Sequence, residues 1–170
     1  MIRQSYFLIV VIVLLMASAA SAEDAARKKV LLFGIDGCRP DALRTAETPH
    51  LDQLIREGAF ADDTQILGER YRDNNTVSGP GWSSILTGVW ADKHGVNGNK
   101  FRQPNYEEYP PFFRRIKDAQ PSAFTASLSG WAEITEKIVT AADVSRQLRE
   151  PEESYGKGDE AVAAEAVRLL

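Results

Sequence analysis

The chain has 170 residues, of which 44% are hydrophobic, and a net charge of −4 from 20 basic and 24 acidic side chains. This length is sufficient for one domain with a hydrophobic core, and the acidic balance argues against a surface for polymeric nucleic acid. Cys38 is the only cysteine, so a disulfide within the chain is excluded.

The first 22 residues have the pattern of a secretory signal peptide. Arg3 precedes an apolar run at residues 6–16, and small residues follow as far as Ala22. A membrane-spanning helix needs about 20 apolar residues, so we expect cleavage after Ala22 rather than a retained anchor. The mature chain is then expected to be secreted or periplasmic, with no membrane attachment after cleavage.

Residues 30–35 form a continuous apolar run, VLLFGI, which is typical of a parallel strand buried on both faces. Asp36 follows this strand directly. Open α/β sheets bind ligands at the carboxyl ends of their strands, and a carboxylate there is a candidate cation ligand. The alternative is that Asp36 only caps a helix that begins near Cys38.

The remaining sequence predicts alternating helices and strands. We expect helices that begin at Arg39 and at Thr48 and further helices at residues 82–87, 112–119, 131–138 and 158–170. We expect strands at residues 59–66 and 122–128 and loops at residues 68–75 and 89–99. This alternation implies an α/β fold with a parallel sheet flanked by helices.

Ser78 is the strongest candidate for a functional residue. Pro80 suits the first position of a helix and Gly88 suits its left-handed end, which places the Ser78 hydroxyl at the first turn. Unpaired backbone amides at a helix start favour an anion such as a phosphate group. A hydroxyl needs a base or a metal to become a nucleophile, and Asp36 is the candidate partner. A simple N-cap role is the alternative for Ser78.

Five motifs occur in a fixed order along the first hundred residues. They are LFGIDGCRPD at residues 32–41, TPHLD at 48–52, SGP at 78–80, LTG at 86–88 and HGV at 94–96. In this order and spacing they resemble the amino-terminal half of the alkaline phosphatase superfamily, in the branch of type I phosphodiesterases, nucleotide pyrophosphatases and sulfatases. The resemblance covers residues 29–101. It implies that residues 23–170 are the amino-terminal part of an alkaline-phosphatase-like hydrolase domain, and the end of the chain on a predicted helix favours an incomplete domain.

The resemblance also implies roles for individual residues. Asp36 matches a metal ligand, and Ser78 matches a nucleophile that also binds the metal. Asn99 matches the asparagine that holds a phosphate oxygen, and Gly79, which follows Ser78, is a further expected substrate-binding residue. The expected cofactor is zinc, two ions in a complete family member, and the expected substrate is a small phosphate ester. The other family ligands are aspartates and three histidines of the carboxyl-terminal half, and neither His50 nor His94 is expected to replace them.

Two departures from the family motifs distinguish its branches. Trp82 stands at the arginine position of the sulfatase motif, and Asp36 is followed by glycine rather than by a second aspartate, so sulfatase chemistry is disfavoured. Gly79 follows Ser78 where nucleotide pyrophosphatases have phenylalanine, which disfavours a nucleotide substrate. The first hypothesis is an exported metal-dependent phosphodiesterase. The alternatives are a non-catalytic chain that lacks the second metal site and a sulfatase-like hydrolase. The sequence does not indicate an oligomeric state.

Overall fold

The computed structural model describes residues 29–62, 64 and 76–170, which belong to two compact units, residues 1–46 and 47–170. The predicted signal peptide and the predicted loop at residues 68–75 lie outside the described residues. In the predicted strand at residues 59–66, the described residues 59–62 and 64 form no strand.

The first unit contains an apolar segment, a turn and a short helix. Residues 30–35 form neither helix nor strand, Asp36 and Gly37 form the turn with φ of 70° at the glycine, and helix α1 covers Pro40–Thr45. The prediction of a strand buried on both faces is wrong for this unit. Val30 is 95% exposed and Phe33 is 66% exposed, because α1 is the only helix or strand that accompanies the segment among the unit's described residues, and burial of both faces requires neighbouring elements.

One local alternative for the first unit is also wrong. The residue at the N-cap of α1 is Arg39, so Asp36 is not the cap of that helix. Cys38 is exposed in the short connection that precedes the helix. Asp36 therefore lies in a turn, where its position depends on the left-handed glycine that follows it.

In the described part of the second unit, four helices come first, α2 at Pro49–Glu57, α3 at Ser78–Thr87, α4 at Ala91–His94 and α5 at Phe112–Ala119. Gly88 ends α3 with φ of 72°, which confirms the predicted left-handed stop. Helix α3 starts two residues before Pro80 and its N-cap is Val77, so the N-cap alternative for Ser78 is wrong. Helix α4 lies within the predicted loop at residues 89–99.

A parallel pair of strands follows the helices. Strand β1 is Ala126–Ser129 and strand β2 is Val144–Gln147, paired from Ala126 with Val144 to Ser129 with Gln147. The connection between them contains a π-helical segment, Ile134–Ile138, where an α-helix was predicted. Its defining bond joins the Val139 amide to the Ile134 carbonyl at 2.7 Å. A parallel sheet accompanied by helices confirms the predicted α/β class, although the polar sequence of β2 gave no strand signal.

The core of the second unit joins α3, the loop after α4, α5 and the π-helical segment. Its buried members are Leu86, Val96, Phe101, Phe113, Ile138 and Val139. At one edge, the Asp143 carboxylate accepts hydrogen bonds from Lys117 and from the backbone and hydroxyl of Thr125, each at 2.8 Å. These donors, first of all Lys117, lower the pKa of Asp143 to about 2. Asp143 thus connects α5 to the starts of both strands.

Helix α6, Tyr155–Leu169, packs against β1. Its N-cap is Ser154, whose hydroxyl accepts a hydrogen bond from the Lys157 amide at 3.4 Å. Gly156 and Gly158 lie inside this helix, so the G-x-G-x-x-A spacing of residues 156–161 is helical sequence rather than a phosphate-binding loop.

The two glycines of α6 are expected to respond in opposite directions to alanine. A Cβ at Gly156 meets no atom within 4 Å, so Gly156→Ala should raise the free energy of unfolding by about 0.5 kcal/mol through helix propensity. A Cβ at Gly158 would lie 2.6 Å from the Arg149 Cβ. Gly158→Ala should therefore lower the free energy of unfolding by about 1 kcal/mol or more, despite the same gain in helix propensity. Urea unfolding of both variants measures the difference, and equal shifts would contradict the packing argument.

Candidate active site

Ser78 is the first residue of α3, and its side chain is partly buried. Within the described part of the chain, no group forms a hydrogen bond with the Ser78 hydroxyl. The other hydroxyl groups on α3 are all engaged. Ser83 and Thr87 donate to the backbone carbonyls four residues earlier, at 2.6 and 2.7 Å, and Ser84 is hydrogen-bonded to His94. Ser78 is therefore the hydroxyl of this helix that is available to a substrate.

The Asn99 side chain is bound to the residue that follows Ser78. Its Oδ1 accepts a hydrogen bond from the Gly79 amide at 2.7 Å. Because a backbone amide only donates, the oxygen of Asn99 must face Gly79, and the Nδ2 group is left as the donor that can meet a ligand. A Cβ at Gly79 would lie 2.8 Å from the Gly98 carbonyl oxygen and 3.1 Å from Asn99 Oδ1. The close approach of the two segments therefore requires a glycine at position 79.

The amides at the start of α3 are less available to an anion than the sequence suggested. Gly79 donates to Asn99, Pro80 has no amide hydrogen, and Gly81 donates to the Val77 carbonyl at 3.2 Å. Among the described residues, the Ser78 amide and the Asn99 Nδ2 group remain as candidate hydrogen-bond donors to a phosphate. Asn99 occupies the Gly79 amide and offers its own Nδ2 group in place of that amide.

The loop that carries Asn99 has an unusual backbone. Phe101 and Gln103 have positive φ values of 47° and 56°, although neither is a glycine. Phe101 is buried, with its ring centroid 6.0 Å from that of Trp131, and a Cβ at Gly95 would lie 2.6 Å from the Gln103 carbonyl oxygen. Core packing and this tight contact hold the loop in a conformation that L-residues rarely adopt.

A groove of about 580 Å³ borders the start of α3. It is lined by Val77, Gly95 and residues 97–103. Val77 directly precedes Ser78, so the groove begins beside the candidate nucleophile. Lys100 and Arg102 are among the lining residues, and none of the lining residues is acidic. The groove therefore suits an anionic ligand.

A second set of hydrogen bonds lies one turn further along α3. The Ser83 side chain is fully buried, and its Oγ is 2.6 Å from the Gly79 carbonyl oxygen and 2.7 Å from the Tyr106 hydroxyl. Burial raises the pKa of Tyr106, so its hydroxyl stays protonated. The sequence reasoning did not identify Ser83 or Tyr106, because neither lies in a motif and their contact spans 23 residues.

His94 is buried and has a structural position. Its Nδ1 accepts a hydrogen bond from the Val96 amide at 3.1 Å, so the neutral ring carries its proton on Nε2 and donates it to Ser84 Oγ at 3.0 Å. Burial lowers the pKa of His94, and this effect outweighs the nearby Asp92 charge. Both ring nitrogens of His94 are thus engaged within the protein.

His94 should make the stability of the protein depend on pH. The unfolded chain takes up a proton near pH 6.5, whereas the folded chain does so only at lower pH. Stability is therefore fully present above pH 6.5 and should fall as the pH decreases through that value. Urea unfolding between pH 8 and pH 5 measures this slope, and His94→Gln should have lower stability but a flatter profile. An unchanged slope in His94→Gln would assign the effect to another group.

A family model described as type I phosphodiesterase / nucleotide pyrophosphatase matches residues 30–151. This range contains Asp36, Ser78, Gly79 and Asn99. The chain belongs to the type I phosphodiesterase / nucleotide pyrophosphatase family. The resemblance seen in the motifs is thereby confirmed.

Relatives of this phosphodiesterase-family chain include mammalian proteins named bis(5'-adenosyl)-triphosphatase ENPP4. The Bos taurus protein is 28% identical over 103 residues, which cover 61% of this chain and 21% of the relative. The Homo sapiens protein is 34% identical over 71 residues, which cover 42% of this chain and 14% of the relative. No solved structure gives a significant match. The chain thus spans about a fifth of the length of the bovine relative.

The two residues that the resemblance predicts as metal ligands belong to different units. Asp36 lies in the turn of the first unit, and Ser78 lies in the second unit. Among residues 29–62, 64 and 76–170, no three His, Cys, Asp or Glu side chains lie close enough together to hold a metal ion. No helix in this part of the chain is long and apolar enough to span a membrane.

Proposed function

We propose that this chain is part of an exported, metal-dependent hydrolase of small phosphate esters and that Ser78 is its nucleophile. The observation that carries this proposal is the hydrogen bond between Asn99 and Gly79. This bond holds the Asn99 side-chain amide next to the Ser78 hydroxyl, which has no partner among the described residues. Both groups lie at the start of α3, and the groove beside them carries two cationic side chains.

The chemistry that this arrangement supports is displacement at phosphorus. The Ser78 Oγ gives up its proton to solvent and forms a bond to phosphorus while the bond from phosphorus to the leaving oxygen breaks, and the leaving oxygen takes up a proton to depart as an alcohol. The Asn99 Nδ2 group and the Ser78 amide stabilise the charge on the non-bridging oxygens. Water then cleaves the phosphoserine and restores the Ser78 hydroxyl. On the strength of the family resemblance, Asp36 and Ser78 are proposed as two of the zinc ligands.

The substrate class follows from the groove. Lys100 and Arg102 provide positive charge beside the phosphate position, which favours an anionic ester over a neutral one. Gly79 stands where related pyrophosphatases have a phenylalanine, so the proposal extends to small phosphate esters in general and not to nucleotides in particular.

The proposal is tested with the full-length protein purified from the exported fraction. We expect an amino terminus at Glu23, about two tightly bound zinc ions per chain, and chelator-sensitive hydrolysis of bis-p-nitrophenyl phosphate. Faster hydrolysis of p-nitrophenyl sulfate than of the phosphodiester would instead support the sulfatase-like alternative. An amino terminus at Met1 in the exported protein would contradict cleavage after Ala22.

A second candidate function is phosphate binding without turnover. The Asn99 side-chain amide and the two cationic side chains of the groove support it, because they can bind an anion without a metal. Under this alternative, metal analysis finds no tightly bound zinc in the full-length protein, and neither ester is hydrolysed, while inorganic phosphate still shifts the Asn99 side-chain amide resonances. Zinc-dependent hydrolysis would exclude it.

A further inference from the structure

We propose that Tyr106, acting through Ser83, is a positioning residue that holds Gly79 and thereby orients the Asn99 amide toward phosphate. This inference rests on the proposed function for the role of Asn99, although the hydrogen-bond chain itself does not. The chain runs from the Tyr106 hydroxyl to Ser83 Oγ, then to the Gly79 carbonyl, while the Gly79 amide is bound to Asn99.

The direction of each hydrogen bond is fixed by the chemistry of the groups. The Gly79 carbonyl only accepts, so the Ser83 hydroxyl must donate its one hydrogen to that carbonyl. Tyr106 must therefore be the donor in its 2.7 Å contact with Ser83. Since Ser83 is fully buried, its oxygen has no solvent to replace a lost partner. The Tyr106 hydroxyl thus completes the set of bonds around Ser83.

The two ends of this network hold both peptide groups of Gly79. Asn99 binds the amide before its Cα, and Ser83 binds the carbonyl after it. Gly79 lacks a side chain and is buried against Gly98, so these bonds supply the restraint that a side chain would otherwise give. Any rotation of the Gly79 peptides moves the group to which Asn99 Oδ1 is bound, and with it the Nδ2 donor.

Tyr106 also joins the Asn99 loop to α3. Asn99 contacts the start of the helix, and Tyr106 contacts it one turn later, so the segment between them is attached at two points. The Asn105 amide, which donates to the His94 carbonyl at 2.9 Å, fixes the end of this segment on α4. Loss of the Tyr106 hydroxyl removes one attachment while its ring still packs against the core.

Tyr106→Phe tests this role, with Tyr109→Phe as the matched control. Tyr109 lies in the same segment, and the Nζ of Lys93 on α4 is 5.9 Å from its ring centroid. In Tyr106→Phe we expect the Gly79 amide hydrogen to exchange about fivefold faster and the kcat for bis-p-nitrophenyl phosphate to fall by a similar factor. Tyr109→Phe should change neither quantity by more than about twofold. Unchanged Gly79 exchange in Tyr106→Phe would overturn the proposal.

The double variant Ser83→Ala with Tyr106→Phe separates positioning from stability. Removal of both partners leaves no buried hydroxyl unsatisfied, so the melting temperature should recover relative to Ser83→Ala alone. The Gly79 exchange should nevertheless remain fast, and kcat should remain low. Recovery of exchange and kcat together with the melting temperature would show a purely structural role.

The outcome also distinguishes this inference from the proposed function. If Asn99→Ala leaves hydrolysis unchanged while Tyr106→Phe accelerates Gly79 exchange, the network orients Asn99 as stated and the catalytic role of Asn99 is wrong. If Asn99→Ala lowers kcat while Tyr106→Phe alters neither exchange nor kcat, the proposed function stands and the positioning role of Tyr106 is wrong.

Discussion

Ser78→Ala should lower the hydrolysis of bis-p-nitrophenyl phosphate by the full-length protein at least about a thousandfold, because the covalent step loses its nucleophile. The other hydroxyl groups of α3 are already hydrogen-bonded. Ser83 and Thr87 each donate to a helix carbonyl, and Ser84 is bound to His94. The expected signature is a loss of kcat with little change in the melting temperature, because the Ser78 hydroxyl has no hydrogen bond among the described residues.

The matched control for this variant is Ser122→Ala. Ser122 is an exposed serine of the connection between α5 and β1. Its replacement should leave kcat within about twofold of the parent. A Ser78→Ala variant that retains more than a tenth of the parent activity would rule out Ser78 as the nucleophile and would leave the Asn99 arrangement as an anion site of another kind.

Asn99→Asp should separate the two roles proposed for Asn99, because it keeps the acceptor for the Gly79 amide and removes the hydrogen-bond donor to phosphate. An aspartate oxygen still accepts the Gly79 hydrogen bond, and its negative charge at a helix start is favourable, so stability should be equal to or above that of the parent. The Nδ2 donor, however, becomes a carboxylate oxygen that repels phosphate. We expect kcat/KM to fall about 10²- to 10³-fold.

Asn99→Ala provides the comparison. It removes both the acceptor for Gly79 and the donor for phosphate, so activity should fall and the free energy of unfolding should decrease by about 1 kcal/mol, the usual cost of a lost helix cap. The measurements are urea unfolding and steady-state kinetics on both variants. Asn99→Asp with parental activity would mean that the side chain serves only the helix start.

Local sequence signals predicted the parts of the fold that local interactions determine. Pro40 and Pro49 stand at helix starts and Gly88 at a left-handed helix end, as expected from the restricted φ of proline and the permissive φ of glycine. The segment at residues 30–35 was predicted to be buried, but burial depends on neighbouring strands that its own sequence does not specify. Strand β2 was missed because its sequence, VSRQ, carries no apolar alternation.

In the candidate site too, nearby residues predicted some features, and contacts between distant residues determine the others. The place of Ser78 at the start of α3 followed from Pro80 and Gly88, which lie within ten residues of it. The contact between Asn99 and Gly79 joins residues 20 apart in sequence, and only the family resemblance indicated Asn99. The contacts of Asn99 and Tyr106 with α3 join residues that are distant in sequence. No periodicity in the sequence predicts that Asn99 takes the place of a helix-start amide as a hydrogen-bond donor, or that Tyr106 contacts Ser83.

The positive φ values at Phe101 and Gln103 have a consequence for how this protein can change. Non-glycine residues in this conformation cost about 1–3 kcal/mol each, so Gln103→Gly would be an easy route to a more stable protein. The same substitution would widen the range of conformations open to the segment that carries Asn99. Selection for thermal stability and selection for a fixed hydrogen-bond donor to phosphate, the role proposed for Asn99, therefore act on this loop in opposite directions. Screens for stability that include no activity screen should accumulate glycine at position 103.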